Sequence, residues 1–296
     1  MVISINLVRI ALETNSIEEF YQLLDKKLEV CKKGLLYRIQ RLLGTKASVS
    51  PILYENGALG HYLDHNDEVD FLFKNGRASV SLGYIGLHET VLKLTGKKMF
   101  GNPEIKQIGI DILQHLRDKC DEWKAETGYG FSLYGTPSEN LCYKFERLDR
   151  EKFGIIEGIT DKEWYTNSFH LDVQQPCTAF EKIDFEAPFQ KISNGGFITY
   201  VECNSLKDNP KALEALWDYA VDKLGYFAIN VHNDKCFKCH YEGDFVPTEN
   251  GFQCPNCGNT DVKTISCVRR ISGYLTNGRQ INKGKFNEII NRAVHY

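Results

Sequence analysis

Five short apolar or alternating runs constrain this fold more than any other feature of the chain: Val2–Leu7, Ser79–Tyr84, Gly130–Tyr134, Phe197–Glu202 and Tyr226–Val231. They have the length and pattern of strands. Most are separated by a stretch of helical periodicity, and strands joined by a helical crossover pair in parallel. The pattern predicts a largely parallel α/β sheet covered on both faces, with ligand-facing residues at the C-terminal ends of its strands.

The crossovers carry their own signals. Ser16-Ile-Glu-Glu19 has capping-box spacing, and Ile17, Phe20, Leu24, Leu28, Cys31, Leu35, Ile39 and Leu42 follow at steps of three or four before Gly44. Asn102-Pro103 and Asn209-Pro210 each read as a cap followed by an N1 proline. The helices they open carry Ile105, Ile108, Ile112, Leu116 and Trp123, and Leu213, Leu216, Trp217, Ala220 and Leu224. A short fourth helix is predicted near 283–293. The stretch 140–196 shows no helical pattern, and Pro176, Pro188 and Gly195-Gly196 predict long loops or a hairpin there.

Thirty-six basic and 39 acidic side chains leave a net charge of −3 in 296 residues, which argues against DNA or an anionic membrane as a partner held by bulk charge. No run of about 18 apolar residues occurs and the N-terminus lacks a signal-peptide pattern, so a cytoplasmic location is expected. Four of the ten cysteines form two tight pairs, Cys236-Phe-Lys-Cys239 and Cys254-Pro-Asn-Cys257, with fourteen residues between them. This is close to zinc-ribbon spacing. Each pair can place two thiolates on one turn, and four sulfurs close a tetrahedron that leaves no position for water, so a structural zinc ion is expected in preference to a redox dithiol. The other six cysteines read as reduced thiols, mostly in the core.

Shortly after the second pair comes Cys267-Val-Arg-Arg-Ile-Ser-Gly-Tyr-Leu275. By composition alone Ser272-Gly273 is a turn. Arg270-Ile-Ser-Gly273-Tyr274, however, resembles the radical-glycine motif of glycyl radical enzymes, and its place after a four-cysteine site resembles anaerobic (class III) ribonucleoside-triphosphate reductases in particular. An α-carbon radical between two amides is delocalised into both, and a residue without Cβ can be planar there without steric conflict. Further matches follow in family order: Val2-Ile-Ser-Ile-Asn6-Leu-Val-Arg9-Ile-Ala-Leu12, with Val8 where proline is usual, then Gly76–Glu89, Tyr134-Gly-Thr136-Pro-Ser-Glu139, Tyr165-Thr-Asn167-Ser168-Phe-His170, Asn194-Gly195-Gly196 and Tyr226–Asn230.

The resemblance implies the second half of a ten-stranded α/β barrel, about five parallel strands with helices over residues 1–231. A four-cysteine zinc segment at 232–262 and a radical loop with a C-terminal helix at 263–296 would follow. It implies a radical on Gly273, installed by an activase that uses S-adenosylmethionine and an iron–sulfur cluster. Formate would be the reductant and ribonucleoside triphosphates the substrates. Glu139 becomes a candidate for proton transfer or substrate contact, and Asn6 for positioning formate. Thr136, Ser138, Asn167, Ser168 and His170 become candidates for binding substrate. Each has a plainer reading beside this one: Glu139 a solvated charge, Asn6 a buried amide, Thr136 and Ser138 helix caps, and His170 a structural histidine.

No MGCR-like segment, which in the family holds the cysteine that becomes a thiyl radical, occurs in the sequence. The expectation is therefore the C-terminal part of a split reductase, phage-like in pattern and then located in the host cytoplasm. It would complete its barrel with a separate N-terminal half and dimerise when assembled. A truncation would give the same sequence, and the alternative function is an inactive fragment serving as a zinc-dependent binding module.

Overall fold

The computed structural model describes residues 1–138, 140–204, 206, 209–249, 251–277 and 281–295. In order the elements are β1 (Val2–Asn6), α1 (Leu7–Leu12), α2 (Ile17–Gln40), the short α3 (Pro51–Tyr54) and α4 (Asp70–Phe73), β2 (Ser79–Ile85), α5 (Leu87–Thr95), α6 (Pro103–Thr127), β3 (Gly130–Tyr134), α7 (Asn140–Phe153), α8 (Ala179–Ile192), β4 (Thr199–Cys203), α9 (Pro210–Val221) and β5 (Phe227–Val231). The chain then turns to short antiparallel pairs: β6 (Lys235–Cys236) with β9 (Ile265–Ser266), β7 (Val246–Thr248) with β8 (Gly251–Gln253), and β10 (Val268–Arg270) with β11 (Leu275–Asn277). Helix α10 (Lys283–Ile290) follows.

All five long strands form where the apolar runs predict them. They divide into a parallel sheet β1-β2-β3 and a parallel pair β4-β5. The break is bridged by Asn194-Gly195-Gly196, which runs beside β3: Gly195 N donates to Leu133 O at 2.6 Å and Gly135 N to Gly196 O at 2.9 Å. The approach is so close that a Cβ on Gly195 would lie 2.6 Å from Ser132 Oγ and 2.8 Å from Leu133 O.

The two faces of β1-β2-β3 differ in chemistry. Ile5, Val80, Leu82, Tyr84, Phe131 and Leu133 enter the main core with Phe20, Leu24, Leu28, Leu35 and Ile39 of α2 and Ile112, Leu116 and Trp123 of α6. The alternate positions are Ser4, Ser81, Gly83, Ser132 and Tyr134, a face of small and polar groups. The main apolar core lies on one face, and at the strand ends of the other Ile85 packs with Val8, Cys142 and Trp164 in a smaller cluster.

Several local expectations are corrected. Residues 140–196 contain two fourteen-residue helices instead of only loops. Both hide their period because their buried positions include charged or amide groups: Glu146 and Asp149 in α7, and Lys182, Glu186 and Gln190 in α8. Pro188 lies inside α8 and cannot donate to Asp184 O, but Lys106 Nζ takes that carbonyl at 3.2 Å. Asn102 does not cap α6 through its side chain, whereas Asn209 accepts from Ala212 N at 3.2 Å. Trp217 stands on the exposed side of α9, 51% accessible. Among the described residues no helix is long and apolar enough to cross a membrane.

Candidate active site

The C-terminal ends of β1, β2 and β3 carry the groups the motifs single out. Asn6 ends β1 and caps α1, its Oδ1 accepting from Arg9 N at 3.0 Å. Its Nδ2 donates to Asp149 Oδ2 at 3.0 Å, and the fully buried Asp149 also takes Tyr165 Oη at 2.8 Å and pairs with Arg9. Both polar atoms of Asn6 are thus engaged. After β2, Gly86 begins α5 in the left-handed region at φ 80° and donates to Thr166 O. A Cβ there would lie 2.3 Å from Val8 Cγ2. Glu89 Oε1 accepts from Thr166 N and Oγ1 at 2.9 and 2.7 Å, while its buried Oε2 has no hydrogen-bond partner among the described residues.

After β3, Thr136 Oγ1 and Ser4 Oγ are 2.9 Å apart, over the space that Gly83 leaves open. Ser138 caps α7 by accepting from Leu141 N and Cys142 N at 3.1 and 3.3 Å. Its own N–H donates to Asn167 Oδ1 at 3.1 Å. Asn167 Nδ2 donates to Ser272 Oγ at 2.6 Å, and the Ser272 hydroxyl reaches Ser138 O at 3.4 Å. This three-residue lock seats the tip of the β10–β11 hairpin on the loop after β3. Gly273 is next in the chain. It is exposed, and among the described residues a Cβ built on it would meet Pro137, at 3.5 and 3.8 Å. Its φ lies outside the left-handed region. Among the described residues, neither backbone conformation nor crowding requires glycine at 273.

Thr136, Ser138, Asn167 and Gly273 therefore meet in one place. Ser168 is beside them in a left-handed conformation, φ 43°, unusual for a residue with a side chain. Glu139 lies outside the described residues. His170 N donates to Asn167 O, but its buried ring turns to α8 and pairs with Glu186 Oε2 at 3.2 Å. Burial raises the Glu186 carboxyl, but Lys182 and His170 outweigh this and hold it at about 2. The motifs did not single out Ser272 as an anchor, nor Arg9, Asp149 and Tyr165. Asp149 falls in a stretch read as loop, so nothing in its spacing marks it as buried.

The zinc ligands converge as the spacing predicts. The sulfurs of Cys236, Cys239, Cys254 and Cys257 lie within 4.8 Å of one another, with Cys236–Cys257 at 3.7 Å and Cys239–Cys254 at 3.6 Å. A tetrahedron with Zn–S bonds of about 2.3 Å has sulfurs about 3.8 Å apart, so the donor set fits zinc. Asn259 Nδ2 donates to Cys236 Sγ at 3.4 Å. Burial raises this thiol, but the Asn259 bond and backbone N–H groups bring it down to about 6, towards the ligating thiolate. No disulfide joins any of the ten cysteines. Burial pushes Cys120 and Cys142 up to about 12 and Cys177 and Cys203 up to about 11, as inert core thiols.

The metal centre is tied to the hairpin. Asp234, just before the first cysteine pair, forms a two-pronged ion pair with Arg269 of β10, 2.6 Å for one prong, and accepts from Phe245 N at 3.0 Å. Arg269 also lies over the Phe252 ring at 4.3 Å. Fold and site together define half of a parallel α/β barrel, with a four-cysteine metal unit and a glycine-tipped hairpin at the strand ends.

Comparison with known proteins gives this arrangement a family. The anaerobic ribonucleoside-triphosphate reductase family matches residues 1–295, and the chain belongs to that family. It is 50% identical to the Escherichia coli K12 anaerobic ribonucleoside-triphosphate reductase, across 99% of this chain and 42% of that protein. With the enzyme of Enterobacteria phage T4 the figures are 46%, 99% and 48%. The chain thus spans less than half the length of these relatives. An anaerobic ribonucleotide reductase structure superposes with a TM-score of 0.72 at 23% identity, covering 99% of this chain and 44% of that one. The Thermotoga maritima anaerobic ribonucleotide reductase with glycerol in its active site gives 0.66 at 22% identity, covering 97% and 43%. These superpositions establish the shared fold.

Proposed function

We propose that this chain supplies the radical-bearing half of an anaerobic ribonucleoside-triphosphate reductase, with Gly273 as the radical site. The observation that carries the reading is the seating of a glycine-tipped hairpin on the Pro137–Ser138 loop at the C-terminal strand ends, at a position where geometry does not call for glycine. The chemical reason for glycine, a planar radical shared between two amides, then remains.

In this reading the Gly273 Cα radical takes a hydrogen atom from a cysteine thiol of the barrel's other half, restoring the glycine and leaving a thiyl. The thiyl takes the 3′ hydrogen of the ribose, and the 2′ hydroxyl leaves as water. Formate supplies the two electrons and departs as carbon dioxide, one proton being consumed. Thr136, Ser138, Asn167 and Ser168 line the side of the chamber where the ribose would lie, and Glu139 follows directly in the chain. Asn6 contributes through its contact with Asp149, and His170 supports the wall from behind through Glu186. Zinc on the four cysteines is structural and fixes the base of the hairpin through Asp234 and Arg269. The partners are an N-terminal half carrying the thiyl cysteine, an activase that uses S-adenosylmethionine and an iron–sulfur cluster, and a second copy of the assembled enzyme.

The test is anaerobic electron paramagnetic resonance of the chain with activase and S-adenosylmethionine, with and without the N-terminal half, using Gly273→Ala as control. A doublet lost in the variant is expected. A folded, zinc-loaded chain that gives no doublet under either condition would refute the reading and favour a zinc-dependent binding module.

A further inference from the structure

The side chain of Arg292, two residues past α10, is buried, and its guanidinium makes four hydrogen bonds. Two go to carboxylates, Nη1 to Glu202 Oε1 of β4 and Nη2 to Glu288 Oε1 of α10, both at 2.9 Å. The other two go to hairpin backbone, Nη1 to Arg270 O and Nη2 to Ile271 O, both at 3.0 Å. The Tyr200 ring stacks at 5.1 Å from the guanidinium carbon. These carbonyls belong to the last residue of β10 and the first of the turn, three and two positions before Gly273. A planar fork held by two acids on one side and gripping two consecutive carbonyls on the other is a geometry that lysine cannot reproduce.

We propose that Arg292 is the latch that holds the Gly273 hairpin docked, and that opening it governs access of an activating enzyme to the Gly273 Cα–H bond. The inference rests on the reading of Gly273 as the radical site. That bond must meet two agents in turn, an activator from outside and a thiol inside the barrel, and one docked pose does not serve both. The hairpin is held by the Asp234–Arg269 pair at its base, the Asn167–Ser272 lock at its tip and Arg292 at its neck. Arg292 is therefore a positioning residue, acting on Gly273 through the backbone of residues 270 and 271.

Hydrogen exchange by mass spectrometry tests this on the full zinc-loaded chain. Arg292→Lys keeps a cation between Glu202 and Glu288 and loses the fork. Amides 271–276 should exchange on the order of tenfold faster, the factor one lost hydrogen bond of ordinary net worth produces. Amides of α10 and of the zinc unit should change by less than about twofold, the scatter expected of sites that keep their bonds. With activase and the N-terminal half, the doublet should appear faster and discharge less completely on addition of substrate. Glu288→Gln retains an acceptor oxygen and should give a smaller rise at the same amides, which keeps the test open if Arg292→Lys does not fold. Unchanged exchange at 271–276, or a rise shared equally by α10, would overturn the latch. In Gly273→Ala the latch response persists without a radical. A missing doublet in wild type with an intact exchange response therefore refutes only the radical assignment, and a doublet without the response refutes only the latch.

Discussion

Replacing glycine by alanine at two positions separates chemical from steric need. At Gly273 the new methyl meets Pro137 at 3.5 Å, an ordinary contact, and φ is one that alanine adopts. Loss of glycine's freedom in the unfolded chain stabilises by about 0.4–1 kcal/mol at such a site, so Gly273→Ala should lie within about 1 kcal/mol of wild type. At Gly195 the methyl would sit 2.6 Å from Ser132 Oγ and 2.8 Å from Leu133 O. That carbonyl cannot withdraw, because Gly195 N–H is itself bonded to it at 2.6 Å. Overpacking against backbone should cost about 3 kcal/mol, and at about 2 °C per kcal/mol for a chain of this size the two variants should melt about 6 °C apart. Parallel thermal unfolding of the zinc-loaded proteins measures this gap. If Gly273→Ala melts with Gly195→Ala, glycine at 273 serves packing and the argument from its chemistry collapses.

Three further outcomes are expected. Cys254→Ser should abolish stoichiometric zinc and raise exchange throughout 235–277, with far-ultraviolet dichroism nearly unchanged because the long helices lie outside that segment; a retained metal content would contradict the closed four-sulfur site. Burial, with Lys182 adding to it, depresses His295 to about 4, and its Nδ1 accepts from Glu202 N at 2.8 Å. The unfolded state takes up the proton first, so stability present above pH 6.5 should fall by about 3 kcal/mol as pH drops towards 4; denaturant titrations at pH 7.5 and 5 read this, and a His295→Gln chain should lose the dependence. Glu186, held at about 2, contributes stability that is complete above its ordinary 4.5 and is lost as pH falls through about 2. Glu186→Gln leaves the buried Lys182 unpaired and should cost about 3–5 kcal/mol, with an acid-unfolding curve flatter below pH 4.5 than wild type.

What could be read from the sequence follows from which groups are apolar. The strands and α2 declare themselves because Val80, Leu82, Phe131, Phe20, Leu24 and Leu28 are buried in regular alternation or helical step. The cysteine spacing declares the metal site because only short loops can close four sulfurs. Helices α7 and α8 stay hidden because burial there is paid in ion pairs: Asp149 with Arg9, Glu186 with Lys182 and His170. A charge counts as solvated in any periodicity argument until its partner is known, and the partner of Asp149 lies 140 positions away. The same applies at the site, where Asn167 and Ser272 are 105 positions apart.

The zinc unit and the latch then form one mechanical device around the hairpin. Strand β10 is gripped from one side by Asp234 through Arg269, two residues ahead of Cys236 of the four-cysteine cluster, and its end is gripped from the other by Arg292 through the carbonyls of 270 and 271. The Arg269 grip is a buried ion pair in a segment whose small core of Phe245, Phe252 and Ile265 is built around the cysteines. Metal loss would therefore free the base, whereas latch opening frees the neck and leaves the base in place. In the proposed reading, a hairpin that presents Gly273 to two agents needs a fixed base and a neck that opens. The fixed grip sits at the metal, and the four bonds of Arg292 sit at the neck, next to the glycine.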